Sequence, residues 1–166
     1  MVDPHDGAPA ESRPPQLADL ISLCRSLNRE AVRYVVVGGM AMIQAGFVRA
    51  TEDIDLLLDA DRDNLNRLRT ALLDLPDQAV REMGDDDLDR YVVVRIADEF
   101  VVDLLKAACG VEYAEARDLI DEVEIEGVRI PFASPELLWR TKQTVRSKDE
   151  LDRLFLANLI EVGRDA

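Results

Sequence analysis

Residues 34–59, YVVVGGMAMIQAGFVRATEDIDLLLD, decide the fold. The stretch opens on a β-branched run suited to a central strand, breaks at Gly38 and Gly39, and resumes as DIDLLLD. Between the two strands, MAMIQAGF reads as a short helix ended by Gly46. In the second strand Ile54, Leu56 and Leu58 alternate against Asp53, Asp55 and Leu57, so both aspartates project to one side of the sheet. Burial of charge is costly, and two carboxylates that close either share a proton or share a cation.

A third acid has the same character. Asp103 sits inside FVVDLLK, the second of two antiparallel strands expected in YVVVRIADEFVVDLLKA (91–107) with their turn at ADE. If that strand neighbours DIDLLL, Asp53, Asp55 and Asp103 converge. Three carboxylates suit a hard divalent cation with oxygen ligands, Mg²⁺ or Mn²⁺. Asp59, Asp61 and Asp63, by contrast, read as the acidic first turn of the next helix. Gly38 and Gly39, lying between strand and helix, let backbone N–H groups approach an anion.

Outward from this core, PQLADLISLCRSLNREAV reads as an amphipathic first helix and DADRDNLNRLRTALLDL as another. Residues 111–120 are expected to be helical, and DEVEIEGVRIPFAS to be a hairpin turning at Gly127. Ser134 is an N-cap with Pro135 at the first helical position, and helix runs from about 134 to the C-terminus with a break near Ser147. Trp139 is expected to pack between that helix and the sheet. On an unbroken helix Lys142, Arg146 and Asp149 share a face, with Leu138, Val145 and Leu151 turned to the core. The element order predicts an α+β domain: a small mixed β-sheet with flanking helices and a helical C-terminal segment, over residues 15–166 behind a disordered tail at 1–14.

Composition narrows the function. The 166 residues carry 34 acids against 20 bases, a formal charge of −14 that repels bulk nucleic acid. One local exception is WRTKQTVRSK (139–148), with Arg140, Lys142, Arg146 and Lys148 and no acid. Two cysteines without a CxxC, Cys24 and Cys109, argue against a zinc site and for a reducing cytoplasm. His5, the single histidine, lies in the tail. The N-terminus has no signal-peptide pattern, and no apolar run approaches the ~20 residues of a membrane span.

The pattern VVVGGMAMIQAGFVRATEDIDLLLD resembles the nucleotidyltransferase superfamily of the DNA polymerase β type, and within it the bacterial abortive-infection and toxin-antitoxin group. VVDLLK stands where that group has its third acid, and PELLWRTKQTVRSKDELDRLF resembles its basic C-terminal helical segment. The resemblance implies a nucleotidyltransferase-like fold and transfer of a nucleoside monophosphate from an NTP substrate to a tRNA-like RNA, a protein or a small-molecule acceptor. It further implies Asp53, Asp55 and Asp103 as metal-binding catalytic acids and Mg²⁺ (or Mn²⁺) as cofactor. Gly38 and Gly39 would form the triphosphate turn, with Arg49, Thr51, Lys142 and Arg146 as nucleotide contacts. A cognate antitoxin or toxin partner follows from the same likeness. In one departure, Gly39 stands where many members have serine. The rival expectation is a non-catalytic nucleotide-binding or antitoxin-like regulatory module of the same fold.

Overall fold

The computed structural model describes residues 11–165. Helix α1 (Leu17–Arg29) leads into β1 (Tyr34–Val37), α2 (Gly38–Gln44), β2 (Asp53–Leu58) and α3 (Arg62–Leu72). A 3₁₀ turn (Ala79–Glu82) and the short α4 (Asp87–Arg90) precede β3 (Val94–Ala97) and β4 (Val101–Leu105). The small pair β5 (Ala107–Ala108) and β6 (Val111–Glu112), α5 (Tyr113–Ala116), β7 (Ile120–Ile125) and β8 (Val128–Ala133) follow, before α6 (Pro135–Thr141) and α7 (Ser147–Arg164).

Six strands form one mixed sheet in the order β3-β4-β2-β1-β8-β7. The β1–β8 and β2–β4 pairs are parallel and the rest antiparallel. Parallel pairing of β2 with β4 needs a crossover, which α3 and the following turns supply. Helix α1 packs on α3 and β8, while α2 packs on β1, β2, β8 and α6. The core gathers Leu20, Leu27, Val36, Ile54, Leu56, Leu68, Leu72, Val102 and Leu104, each at most 1% exposed. A buried Asn64 ties this layer to the sheet: its amide accepts from the Arg33 N–H and donates to the Arg33 and Asp59 carbonyls.

The mixed sheet, the flanking helices and the C-terminal helix agree with the α+β reading. Ser134 caps α6 by accepting from the Leu137 N–H, with Pro135 in the first turn. The β7–β8 hairpin turns through Glu126 and Gly127 at φ of 50° and 78°, the paired left-handed geometry of a tight hairpin.

Four local expectations are corrected. Residues 111–120 are helical only over 113–119, as α5 and a 3₁₀ turn at Arg117–Leu119, between β6 and the start of β7 at Ile120. Helix α2 starts at Gly38 itself rather than after the glycines. Trp139 is 40% exposed instead of packed beneath the sheet. The break expected near Ser147 spans 142–146, between the end of α6 at Thr141 and the start of α7 at Ser147, so the unbroken helix face does not form and Val145 is left 103% exposed and Leu151 62% exposed. Of the trio turned to the core on an unbroken helix, only Leu138 is buried. His5 and the rest of residues 1–10 lie outside the described residues. Ser12 and Arg13, which composition assigns to the tail, are fastened to the β3–β4 turn through the Ser12 hydroxyl to the Asp98 carbonyl (2.7 Å) and the Arg13 N–H to the Glu99 carbonyl (2.9 Å).

Candidate active site

Strand register builds the site. Arg95 on β3 pairs with Asp103 on β4, Asp103 with Asp55 on β2, and Asp55 with Val37 at the end of β1. Paired residues in a sheet share a face, so one row across four strands carries a guanidinium, two carboxylates and the residue preceding the glycine turn. Asp53, two residues before Asp55, shares that face. Oxygen atoms of Asp53, Asp55 and Asp103 all lie within 4.8 Å of one another. The three acids therefore meet, as their placement in two apolar strands led us to expect.

Gly38 lies directly behind Asp55. With φ of +66° it holds a left-handed backbone, and a Cβ built on it would stand 2.0 Å from Asp55 Oδ2. Only glycine allows that carboxylate to lie so close. A Cβ on Gly39 would stand 2.5 Å from Thr51 Oγ1 and 2.8 Å from Thr51 Cβ. Thr51 itself donates to the Asp53 carbonyl at 2.9 Å, fixing the start of β2. The volume a serine at residue 39 would need is thus taken by Thr51. Gly39→Ser is expected to cost about 1–3 kcal/mol in chemical unfolding. Thr51→Ala leaves the Cβ in place and should not rescue it, whereas Thr51→Gly should.

The electrostatics of the trio are strained. Burial, and after it the charges of Asp53 and Asp103, push the Asp55 carboxyl up to about 7. Burial and then Asp103 raise Asp53 as well. Among the described residues Asp55 forms no ion pair. A divalent cation would relieve this repulsion, and the all-oxygen donor set fits Mg²⁺ or Mn²⁺. Since the folded value of Asp55 lies above the ordinary carboxylate value, its contribution to stability is complete below about pH 4 and is lost as pH rises through about 7. In a chelator, Asp55→Asn is therefore expected to melt several degrees above the wild type at pH 8 and close to it at pH 4. Equal melting temperatures at both pH values would contradict this.

Sequence reasoning missed Arg95. Its guanidinium donates to both oxygens of Asp103, each at 3.0 Å, and stands 3.5 Å from Asp53 Oδ2. Its hydrogen bond to Asp103, followed by the charge of that carboxylate, holds Arg95 above the usual arginine range. Asp103 is 5% exposed, yet Arg95 reaches it from the rim. The signal was the alternation of VRIA, which turns Arg95 to the same side as Asp103 once the hairpin register is known.

The remaining expected residues line one cleft of about 800 Å³ together with the trio: Gly38, Gly39, Arg49, Thr51, Lys142 and Arg146. They do so without the shared helix face. Lys142 follows α6 at its C-cap and Arg146 precedes α7 at its N-cap, and the turn between them folds both back onto α7. Lys142 Nζ stands 3.1 Å from Asp152 and 3.5 Å from Asp149. Arg146 pairs with Asp149 at 2.8 Å, and Arg49 holds Asp152 at 2.6 Å. Burial raises Asp149, but Thr144, Arg146 and Lys142 together outweigh it and hold the carboxyl below its usual range. Asp149 and Asp152 are thus the anchors of this wall. Most of the basic run at 139–148 is neutralised within the chain, Arg140 also pairing with Glu136 at 2.9 Å.

No helix among the described residues is long and apolar enough to cross a membrane. No protein-family model matches the chain, and no curated protein matches it at a significant level. Solved structures do match. An antigenic nucleotidyltransferase-like protein from Paracoccidioides brasiliensis superposes with a TM-score of 0.57 at 19% identity, over 92% of this chain and 79% of its own. A protein from Thermotoga maritima, assigned provisionally as a nucleotidyltransferase, superposes with a TM-score of 0.53 at 17% identity, over 98% and 99%. At these identities the likeness speaks for the architecture, and the chain has a nucleotidyltransferase-like fold.

Proposed function

We propose that the protein is a metal-dependent nucleotidyltransferase, moving a nucleoside monophosphate from an NTP to an acceptor hydroxyl or phosphate with release of pyrophosphate. The observation that carries the reading is the meeting of Asp53, Asp55 and Asp103 within 4.8 Å beside the Gly38–Gly39 turn. Those acids would hold Mg²⁺ or Mn²⁺, which when bound supplies charge neutralisation for the triphosphate and the acceptor oxygen. An acceptor oxygen attacks the α-phosphorus while the bond to the bridging oxygen of the β-phosphate breaks. The acceptor's proton passes to a carboxylate of the trio, Asp103 being placed for it once Arg95 turns to a phosphate oxygen. Arg95, Lys148 and Arg146 line the cleft as cations for the phosphates, and alignment supplies much of the acceleration.

For the acceptor we favour an RNA end of the tRNA type over a protein or small molecule, and for the setting a cytoplasmic toxin-antitoxin pair. Both rest on the resemblance of residues 34–59 and 135–155. The test is incubation with each α-labelled NTP, Mg²⁺ or Mn²⁺, total RNA and protein extract. Label in RNA is expected; label in no acceptor with any NTP would sink the reading. One observation favours a non-catalytic, nucleotide-sensing module instead: Arg95 engages both oxygens of Asp103. That module would bind an NTP tightly and transfer nothing.

A further inference from the structure

A second cavity, of about 760 Å³, lies at the other end of β1. Gly38, which follows β1, lines the cleft of the carboxylates, whereas Arg33 and Tyr34, at its start, line this one. About 13 Å of strand separates them. Four guanidiniums face the cavity, Arg25 from α1, Arg33 before β1, Arg117 after α5 and Arg129 from β8, against a single carboxylate, Glu122. On a chain with 34 acids and 20 bases this is a local inversion of charge. Its elements are far apart in sequence, so the fold, and no basic run, assembles it.

The four cations are not spent equally. Arg33 pairs with Asp59 at 2.8 Å, and Arg129 stands 3.6 Å from Glu122. Arg25 and Arg117 form no ion pair among the described residues, and both are exposed. Tyr113, half-buried, adds an aromatic ring to the wall, and Val32 and Val128 add apolar surface. Forked guanidiniums with spare donors match the oxygens of a phosphate two at a time, which lysines would not do. The volume is that of a small-molecule pocket.

We propose that this cavity binds an oligophosphate group, alone or on a nucleotide, without a metal ion and apart from the carboxylate cleft. Arg25 and Arg117 are its principal contacts, and Tyr113 takes the base when one is attached.

Titration calorimetry with inorganic tripolyphosphate, in a chelator and at low ionic strength, tests the proposal. One equivalent per chain should bind. Arg25→Glu/Arg117→Glu should weaken it about a hundredfold, and Arg25→Gln/Arg117→Gln should weaken it less, both melting like the wild type. Arg81→Glu, which reverses an exposed charge in the 3₁₀ turn and lines neither cavity, should change nothing. ATP should bind more tightly than tripolyphosphate, with Tyr113→Ala removing the difference if the base stacks there and equal affinities from the outset assigning the site to the phosphates alone. Absence of binding, indifference to the Arg25 and Arg117 variants, or an equal loss in Arg81→Glu would overturn the site. A single-stranded oligoribonucleotide that binds through Arg25 and Arg117 where tripolyphosphate does not would also overturn it, in favour of a surface for RNA.

Discussion

Asp55→Asn is expected to lower nucleotide transfer by about 10³-fold or more, with label transfer from an α-labelled NTP as the measurement. The substitution keeps the shape of the side chain and removes one of its charged oxygens. In the sheet, Asp55 is the middle of the row Arg95–Asp103–Asp55–Val37 and the neighbour of the glycine turn. A cation held between the three acids would rest against its carboxylate. Loss of about 4 kcal/mol of charge stabilisation at the reacting phosphate corresponds to about 10³ in rate. The same variant is expected to be more stable than the wild type at pH 8 in a chelator, because the carboxyl it removes is one that burial and its neighbours push up to about 7. A change that stabilises the fold and abolishes the reaction marks a residue kept for chemistry. Asp61→Asn, on an exposed acid at the start of α3, supplies the control and should transfer at the wild-type rate. If Asp55→Asn transferred within tenfold of wild type, the carboxylates would not be the reacting centre.

How far that centre was legible depends on what each acid needs from the rest of the chain. Asp53 and Asp55 were readable because strand alternation is local: two residues apart means one face. Asp103 was readable as an acid out of place in an apolar run, but its distance from the other two rested on β4 lying beside β2, a crossover that no local pattern specifies. Asp98 shows the limit. It is 2% exposed, as buried as any member of the trio, yet its oxygens accept the N–H groups of Asp77, Ala79 and Glu99 at 2.8–3.0 Å. Backbone donors satisfy it, so it braces the loop before the 3₁₀ turn and is no candidate for a cation. Nothing in DEF distinguishes it from Asp103 until those amides are placed. Arg95 was missed for the same reason: its partner is set by hairpin register. The cationic cavity at the far end of β1 had no sequence signal, since its four arginines come from four separate segments.

The wall of the cleft is built from two helices and the turn between them, not the face of one unbroken helix, and the consequence is a stability effect. Asp152→Ala is expected to destabilise the protein by about 3–5 kcal/mol and to lower the melting temperature by about 10 °C. Asp152 is 1% exposed and holds Arg49 at 2.6 Å and Lys142 at 3.1 Å. Lys142 is itself 6% exposed, with Asp149 Oδ1 at 3.5 Å as its other partner. That oxygen accepts no hydrogen bond of its own. Removing Asp152 therefore strands one arginine and half of the lysine's compensation in a setting that water reaches poorly. Replacing two partners together with apolar groups of similar size costs far less than removing one, so Asp152→Leu/Lys142→Met should recover the lysine's share of the loss, Arg49 remaining unpaired. The cycle of single and double variants in denaturant gives the coupling directly. Nucleotide binding separates structure from function at this point. The network joins the segment before β2, through Arg49, to α7, and holds Lys142 in the wall of the cleft. If Lys142 serves the triphosphate, the double variant regains stability and still binds NTP weakly. If affinity returns with stability, Lys142 is a structural cation and the phosphates are left to Arg95, Arg146 and Lys148.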